Sequence, residues 1–221
     1  MESIAVNRAL AKTVRPLLRS AGFDTFTQRT AWRHSPDKID VVNFQSFNAH
    51  QADLMGCTTY SFSVNLGSYF LFMPHIHSPK LKDGRLCPQE YECHFRGSLH
   101  RRFEQRELAR KDTWFIDEAG KYLDQALTDV CSQIEAVALP WFARNDDANE
   151  VLEVLLNVCE DESFTLWGFG RNPSPIRSLM TGYAALKTGD SELARTSLRA
   201  AKESGCFNTA PIGDVLAKLD S

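Results

Sequence analysis

Hydrophobic and polar residues alternate most regularly over residues 59–72. The alternating positions are Tyr60, Phe62, Val64 and Leu66 on one side, and Ser61, Ser63, Asn65 and Gly67 on the other. Because successive side chains of a strand point to opposite faces, this period of two predicts a central strand of an antiparallel sheet. We expect its aromatic side to pack on helices and its polar side to face water or a partner.

Weaker alternation before this stretch predicts two more strands, over residues 25–34 and 39–47. The two strands are expected to form a hairpin, because Pro36 between them sets the backbone angle that a tight turn requires. Residues 48–58 are polar and show no period, so they are interpreted as an irregular connection.

After the central strand, residues 73–92 contain three prolines and a glycine and are predicted to form one long loop. Alternation resumes over residues 93–99, where Cys93, Phe95 and Leu99 are expected to share a face. Residues 113–116 predict a short last strand, because Trp114 and Phe115 favour extended backbone.

Helical periodicity replaces alternation at both ends of the chain. Residues 3–20 predict an amphipathic helix that ends at Gly22, in the position of a left-handed cap, and they carry basic residues on the outer side. These basic residues are Arg8, Lys12, Arg15 and Arg19. Two more helices are predicted from Asp117 to Pro140 and over residues 146–159, with Cys131 and Cys159 on their apolar stripes.

The C-terminal third is predicted to be helical throughout. Ser174 and Pro175 suit the start of a helix that reaches Lys187, and residues 191–204 predict an antiparallel partner. Gly189 and Asp190 are predicted to end the first helix and to cap the second. This pair resembles one tetratricopeptide-type hairpin, and residues 212–219 predict a last helix that covers it. The predicted class is therefore α+β: an antiparallel sheet of four to five strands packed on helices over residues 1–143, followed by an α-helical region over residues 144–221.

The composition of the chain limits the compartment and the kinds of partner that we expect for the protein. The chain has 221 residues and a net charge of −3, which gives no general attraction to nucleic acid or to anionic lipid. No apolar run approaches the length of about 20 residues that a membrane helix needs, and the N-terminus lacks the pattern of a signal peptide. Six cysteines are too few for a disulfide scaffold, so we expect a cytoplasmic protein with buried thiols, no membrane partner and no disulfides.

Several short motifs follow one another in a recognisable order. They are Gly22-Phe23, Asn43-Phe44-Gln45, Phe62-Ser63-Val64-Asn65-Leu66-Gly67, Cys93-His94-Phe95-Arg96 and Asp112-Thr113-Trp114. In this order they resemble a bacterial family of domains of unknown function, DUF4304, and the resemblance covers about the first two thirds of the chain. It implies an α+β domain in a bacterial cytoplasm, and it implies no activity and no catalytic residues.

The polar side of the predicted sheet provides the first candidate site. Three pairs of polar residues alternate away from the apolar side of their strands: Asn43 and Gln45, Ser63 and Asn65, His94 and Arg96. If these strands are neighbours, the six side chains gather on one surface. Amides, hydroxyls and a guanidinium can bind a protein partner or a small polar or anionic ligand, and Arg96 suits a carboxylate or phosphate. The same residues also suit an internal network that holds the strand register.

A second candidate is a metal site formed by His75, His77, Cys87, Cys93 and His94. Nine residues separate His77 from Cys87 and five separate Cys87 from Cys93, and neither spacing is that of a common zinc motif. The alternative is a surface loop with two solvated histidines and two buried thiols. No metal ligand and no cofactor is therefore predicted.

Other chemistry has less support in the sequence. Cys93 and His94 are adjacent, so in a regular strand their side chains point to opposite faces and cannot form a thiol–imidazole pair. The basic residues between His100 and Lys111 are interrupted by Glu104 and Glu107 and have no stacking aromatic beside them, which does not favour a nucleic-acid partner.

The favoured hypothesis is a non-enzymatic binding module of the bacterial cytoplasm, with neutralisation of a toxin or a defence accessory role as its setting. The alternative is a small-molecule or metal-dependent enzyme that uses the loop with His75 and His77 and the face with His94 and Arg96. Catalytic residues are assigned in neither case.

Overall fold

The computed structural model of the chain describes residues 3–75, 79–157, 168–170, 173–207 and 212–220. Its strands are β1 (Thr25–Phe26), β2 (Thr30–His34), β3 (Lys38–Ser46), β4 (Phe62–Phe70), β5 (Lys80–Lys82), β6 (Arg85–Cys87) and β7 (Phe95–Ser98). Its helices are α1 (Ser3–Ser20), α2 (Ala49–Met55), α3 (Leu123–Gln133), α4 (Leu139–Ala143), α5 (Ala148–Asn157), α6 (Pro175–Thr188), α7 (Ser191–Glu203) and α8 (Ile212–Leu219). None of these helices combines the length and the apolar character that crossing a membrane requires.

Five strands form one antiparallel sheet in the order β1-β2-β3-β4-β7. The central strands β3 and β4 pair along their whole length, which places Asn43 opposite Asn65 and Gln45 opposite Ser63. The predicted α+β class, with a helical C-terminal region after the sheet, is confirmed. The predicted last strand is reduced to a single bridge, in which Trp114 exchanges two backbone hydrogen bonds with Phe62.

One side of the sheet, here called the inner face, carries Val42, Phe44, Val64 and Leu66 and packs on helices. The α1 helix contributes every fourth residue from Val6 to Leu18 to this core, as its periodicity predicts. These residues are Val6, Leu10, Val14 and Leu18. Buried residues of α5 and α6 belong to the same core, so the first two helices beyond residue 143 pack with the sheet. The proposed domain boundary at residues 143 and 144 stays a prediction.

The opposite side of the sheet, here called the outer face, is partly covered. The hairpin of β5 and β6 and a 3₁₀ turn (Glu90–Glu92) lie over it and form a second small core. This core contains Trp32, Ile39, Val41, Tyr69, Cys87 and Cys93. The polar side of the central strand was expected to face water or a partner. Open water was wrong, since β4 is buried at every residue, and a partner on this side stays a prediction. Cys93 and Phe95 were expected to share a face, and this was wrong: Cys93 belongs to the small core of the outer face, and Phe95 belongs to the core of the inner face.

Three local elements differ from the sequence prediction. The stretch predicted as one strand over residues 25–34 is broken by a turn, where Thr27 N–H donates to Thr30 O, because β1 folds back to pair with β2. The stretch predicted as irregular contains α2, which Asn48 and Gln51 start with a reciprocal capping box. The predicted long loop contains the β5–β6 hairpin, whose turn places Asp83 and Gly84 at positive φ.

The helix predicted from Asp117 begins later and ends later. Asp117 instead accepts a hydrogen bond from Lys121 N–H, and the helix starts at Leu123. It also continues past Pro140 to Ala143, because a π-helical turn (Ile134–Ala138) precedes the proline. Proline has no N–H to donate, and a wider turn is one way to accommodate it inside a helix.

The C-terminal hairpin follows its predicted capping residues. Ser174 accepts a hydrogen bond from Arg177 N–H at the start of α6, Gly189 ends it in the left-handed conformation, and Asp190 caps α7. The two helices pack closely at Gly182, where a Cβ atom would lie 2.5 Å from Leu198 Cγ. Cys159 and the connection around Trp167 lie outside the described residues.

A buried group of charges joins the sheet to the helices on the inner face. Asp40 is 2 % exposed and accepts two bonds from Arg33, at 2.9 and 2.6 Å. Lys38 Nζ lies 3.2 Å from the other carboxylate oxygen of Asp40 and donates to Phe142 O at 2.9 Å. Burial raises the pKa of Asp40, and the two neighbouring cations oppose that rise. These contacts tie the β2–β3 hairpin to the end of α4.

Candidate functional site

The uncovered part of the outer face forms a polar depression, here called the outer cleft. It has two lobes with volumes of about 230 Å³ and about 330 Å³, and Gln45, Glu90 and Arg96 line both of them. Its floor consists of polar residues of β3, β4 and β7, and its walls come from the 3₁₀ turn, α2 and the segment before Trp114.

Five of the six residues that the sequence selected line this cleft: Asn43, Gln45, Ser63, Asn65 and Arg96. Hydrogen bonds within the floor hold them in place. Asn65 Nδ2 donates to Gln45 Oε1 at 2.8 Å, Asn43 Nδ2 donates to Thr30 Oγ1 at 3.0 Å, and the Ser63 hydroxyl bonds that of Thr113 at 2.9 Å. Both predicted roles, a binding surface and an internal network, therefore involve the same side chains.

Each arginine of the cleft is matched by a carboxylate. Arg96 Nε donates to Glu90 Oε1 at 2.7 Å, and Arg110 donates two bonds to Asp112, at 3.0 and 2.6 Å. Burial raises the pKa of Glu90 against the opposing effect of Arg96, whereas the hydrogen bond from Arg110 lowers the pKa of Asp112. The cleft is thus charge-balanced, rather than the cationic site that Arg96 by itself suggested.

The walls add apolar surface to this polar floor. Tyr91 projects from the 3₁₀ turn with 60 % of its surface exposed, and Phe47 and Met55 line the opposite lobe. Sequence reasoning missed Glu90, Tyr91, Arg110 and Asp112 as cleft residues. These residues lie outside the alternating strands, so the period of two could not predict them. The wall residue Met55 could have been predicted, because the Asn48–Gln51 capping pair indicates the start of the helix that contains it.

His94, the sixth selected residue, lies away from the cleft. It is 2 % exposed, its Nδ1 accepts a hydrogen bond from Phe70 N–H at 3.0 Å, and its Nε2 donates to Pro74 O at 3.3 Å. The ring contacts those of Tyr69 and Phe70. Burial lowers the pKa of His94 to about 4, so the imidazole is neutral at pH 7. Both ring nitrogens are used inside the fold, and none is offered to a ligand.

The residues of the candidate metal site are separated by packing. His75 is exposed and hydrogen-bonds the Tyr69 hydroxyl, while Cys87 and Cys93 belong to the core of the outer face. Burial raises the pKa of both thiols, which keeps them protonated. His77 lies outside the described residues. Within the described part of the chain, no three His, Cys, Asp or Glu side chains are grouped closely enough to hold a metal ion.

The basic segment after His100 has an internal role. Arg101 is 4 % exposed, and its guanidinium donates to the carbonyl groups of Phe103, Leu108 and Arg110. Because the Arg101 side chain binds three backbone carbonyls, the segment from Arg101 to Arg110 forms a compact loop, and Asp112 after it lines the cleft.

Gly67 makes the close approach between the sheet and the 3₁₀ turn possible, and this gives a first prediction. A Cβ atom at this position would lie 2.6 Å from Cys93 Sγ and 2.9 Å from Cys93 Cβ. We expect Gly67→Ala to lower the free energy of unfolding by about 1–3 kcal/mol, because the turn that carries Glu90 must move outward. Urea unfolding measures the effect. Gly213→Ala is the control, since nothing lies within 4 Å of its Cβ position, and an equal effect of both variants would contradict the prediction.

Comparison with known proteins gives one match. A family model described as "Domain of unknown function (DUF4304)" matches residues 14–144, which include the whole sheet and the outer cleft. No curated protein and no solved structure shows significant similarity to the chain.

Proposed function

We propose that this chain, which belongs to the DUF4304 family, is a non-enzymatic binding protein whose outer cleft receives a polar segment of a protein partner. The observation that carries the proposal is the composition of the cleft: a floor of side-chain amides and two internal ion pairs, bordered by an exposed tyrosine. Such a surface offers hydrogen-bond donors and acceptors without a net charge, which suits an uncharged backbone or a ligand that carries both charges.

Two features of the floor support binding. Its polar side chains are already held by Asn65, Thr30 and Glu90, so little side-chain entropy is lost when a partner docks. Gln45 is exposed, and with its oxygen engaged by Asn65, its amide nitrogen remains a donor towards the cleft. Tyr91 adds the type of large amphipathic side chain that is enriched at binding hot spots.

The setting that we propose is the cytoplasm of a bacterium, where such a protein would neutralise a toxin or assist a defence system. The five described cysteines are all free thiols, which suits a reducing compartment. A small polar molecule is the alternative occupant of the cleft, since the larger lobe has a volume of about 330 Å³.

The test uses two substitutions that change the cleft without opening the core, Gln45→Met and Tyr91→Ala. Proteins retained from the native cell by the wild-type chain are compared with those retained by each variant, and the affinity is then measured with the purified partner. We expect each variant to bind at least about tenfold more weakly, equivalent to 1.4 kcal/mol.

Gln125→Met is the matched control for Gln45→Met, because Gln125 is exposed on α3 and takes no part in the cleft. Its affinity should equal that of the wild type. A purified partner that binds both cleft variants as tightly as the wild-type chain would exclude the outer cleft as the binding surface. A thermal-shift series with free amino acids and nucleosides tests the small-molecule alternative with the same variants.

A further inference from the structure

Arg29, in the turn between β1 and β2, is half-buried and has no ionic partner among the described residues. Its Nη1 is shielded from solvent and finds no hydrogen-bond acceptor in the described part of the chain, and no described carboxylate forms an ion pair with it. More than nine tenths of buried polar atoms in proteins have a partner. The guanidinium of Arg29 is therefore available to an anion from solution.

The surroundings of Arg29 form a small recess between α1 and the inner face. Arg15 lines the same recess, and its Nη2 donates to Thr27 O at 2.5 Å. The remaining lining is apolar or neutral, and it includes Thr27 and Gln28 but no Asp or Glu. Burial lowers the pKa of Arg29, as expected for a cation held in an apolar wall. Two guanidinium groups thus line one opening that contains no negative charge from the described residues.

The surface around the recess is also positive. The α1 helix contains no acidic residue, and Arg8, Lys12 and Arg19 are exposed along it. Lys82 reaches the same area and donates to Phe26 O at 2.7 Å, while the Arg19 guanidinium lies 5.2 Å from the centre of the Phe26 ring. The whole chain has a net charge of −3, but the cations grouped at this surface attract anions locally.

We propose that a phosphate-type oxyanion binds at the mouth of this recess, whose interior has a volume of only about 10 Å³, and that Arg29 and Arg15 hold the anion there. Planar guanidinium groups donate paired hydrogen bonds to the oxygens of such an anion, and several nearby cations favour an anion with more than one charge. The site lies between α1 and the inner face, away from the outer cleft, so it is a function additional to the one proposed above. A free phosphate compound and the backbone of a nucleic acid present the same chemistry to it.

The experiment measures binding of inorganic phosphate to the full chain by calorimetry, at constant ionic strength with chloride as the background anion. We expect the wild type to bind phosphate and Arg29→Met to bind it at least tenfold more weakly. Arg106→Met is the matched control, because Arg106 is exposed and remote from the recess, and it should bind as the wild type does. Without phosphate, Arg29→Met should unfold at a temperature no lower than the wild type, since it removes an unpaired buried charge.

A second series replaces phosphate by a short single-stranded DNA of mixed sequence. Tighter binding of the DNA than of phosphate, weakened at least tenfold by Arg29→Met and decreasing with salt, identifies a nucleic-acid backbone as the source of the phosphate. Binding of phosphate alone identifies a small phosphate compound. The proposal is overturned if neither probe binds, or if Arg29→Met binds both probes as the wild type does. Either result leaves the outer cleft untouched, because Gln45 and Tyr91 are unchanged.

Discussion

Replacement of Asp40 by Asn is expected to lower the free energy of unfolding by about 3–5 kcal/mol, the usual effect of removing one partner from a buried ion pair. One carboxylate oxygen of Asp40 accepts hydrogen bonds from Arg33, and the other contacts Lys38 Nζ and accepts a bond from the Ser68 hydroxyl. The Lys38 side chain is only 2 % exposed. The neutral amide keeps the volume of the carboxylate but removes the counter-charge of Arg33 and one of the two carboxylates beside Lys38, whose Nζ also lies 3.0 Å from Asp146 Oδ1. The desolvation cost of these two cations, which Asp40 offsets in the wild type, then weighs more heavily against the folded state.

Urea unfolding followed by tryptophan fluorescence measures this loss, with Asp37→Asn as the matched control. Asp37 carries the same functional group in the preceding turn, but its side chain is 46 % exposed and pairs with the exposed Lys187. An exposed pair contributes at most about 1 kcal/mol. If Asp40→Asn were no more destabilising than Asp37→Asn, the buried charges on the inner face would not contribute to stability as their geometry indicates.

Acidification is expected to remove about 3 kcal/mol of stability through His94 alone. In the unfolded chain its pKa is the ordinary 6.5, whereas burial in the fold, assisted by the nearby His75, lowers it to about 4. The unfolded state therefore binds a proton first, and stability falls as the pH drops from 6.5 towards 4. Above pH 6.5 the contribution is complete, because the imidazole is then neutral in both states.

The contribution of His94 is isolated by comparing the wild type with His94→Asn at each pH. Asparagine has one acceptor for Phe70 N–H and one donor for Pro74 O, and it does not titrate. The difference in unfolding free energy between the two proteins should shrink by about 3 kcal/mol over this pH range. Two curves that stay parallel would show that His94 is protonated equally in the folded and unfolded states.

Local signals in the sequence predicted most of the elements correctly. The helix over residues 3–20, the turn after His34 and the caps at Ser174 and Asp190 all depend on neighbours within a few residues, and all were confirmed. The overlooked α2 helix and β5–β6 hairpin carry local signals of the same kind, the Asn48–Gln51 capping pair and Asp83-Gly84. These two errors were therefore avoidable.

The alternation of residues was enough to predict which side chains of each strand share a face. Alternation placed Asn43, Gln45, Ser63 and Asn65 on the same face, and the register of β3 on β4 joined them there. Which part of that face is open depends on tertiary contacts, because the covering hairpin and the 3₁₀ turn come from a segment without periodicity. Tertiary contacts also pair Arg96 with Glu90, bury His94, and leave Arg29 without a counter-charge from the described residues. Each of these depends on contacts between distant segments, whose geometry no local pattern of residues records.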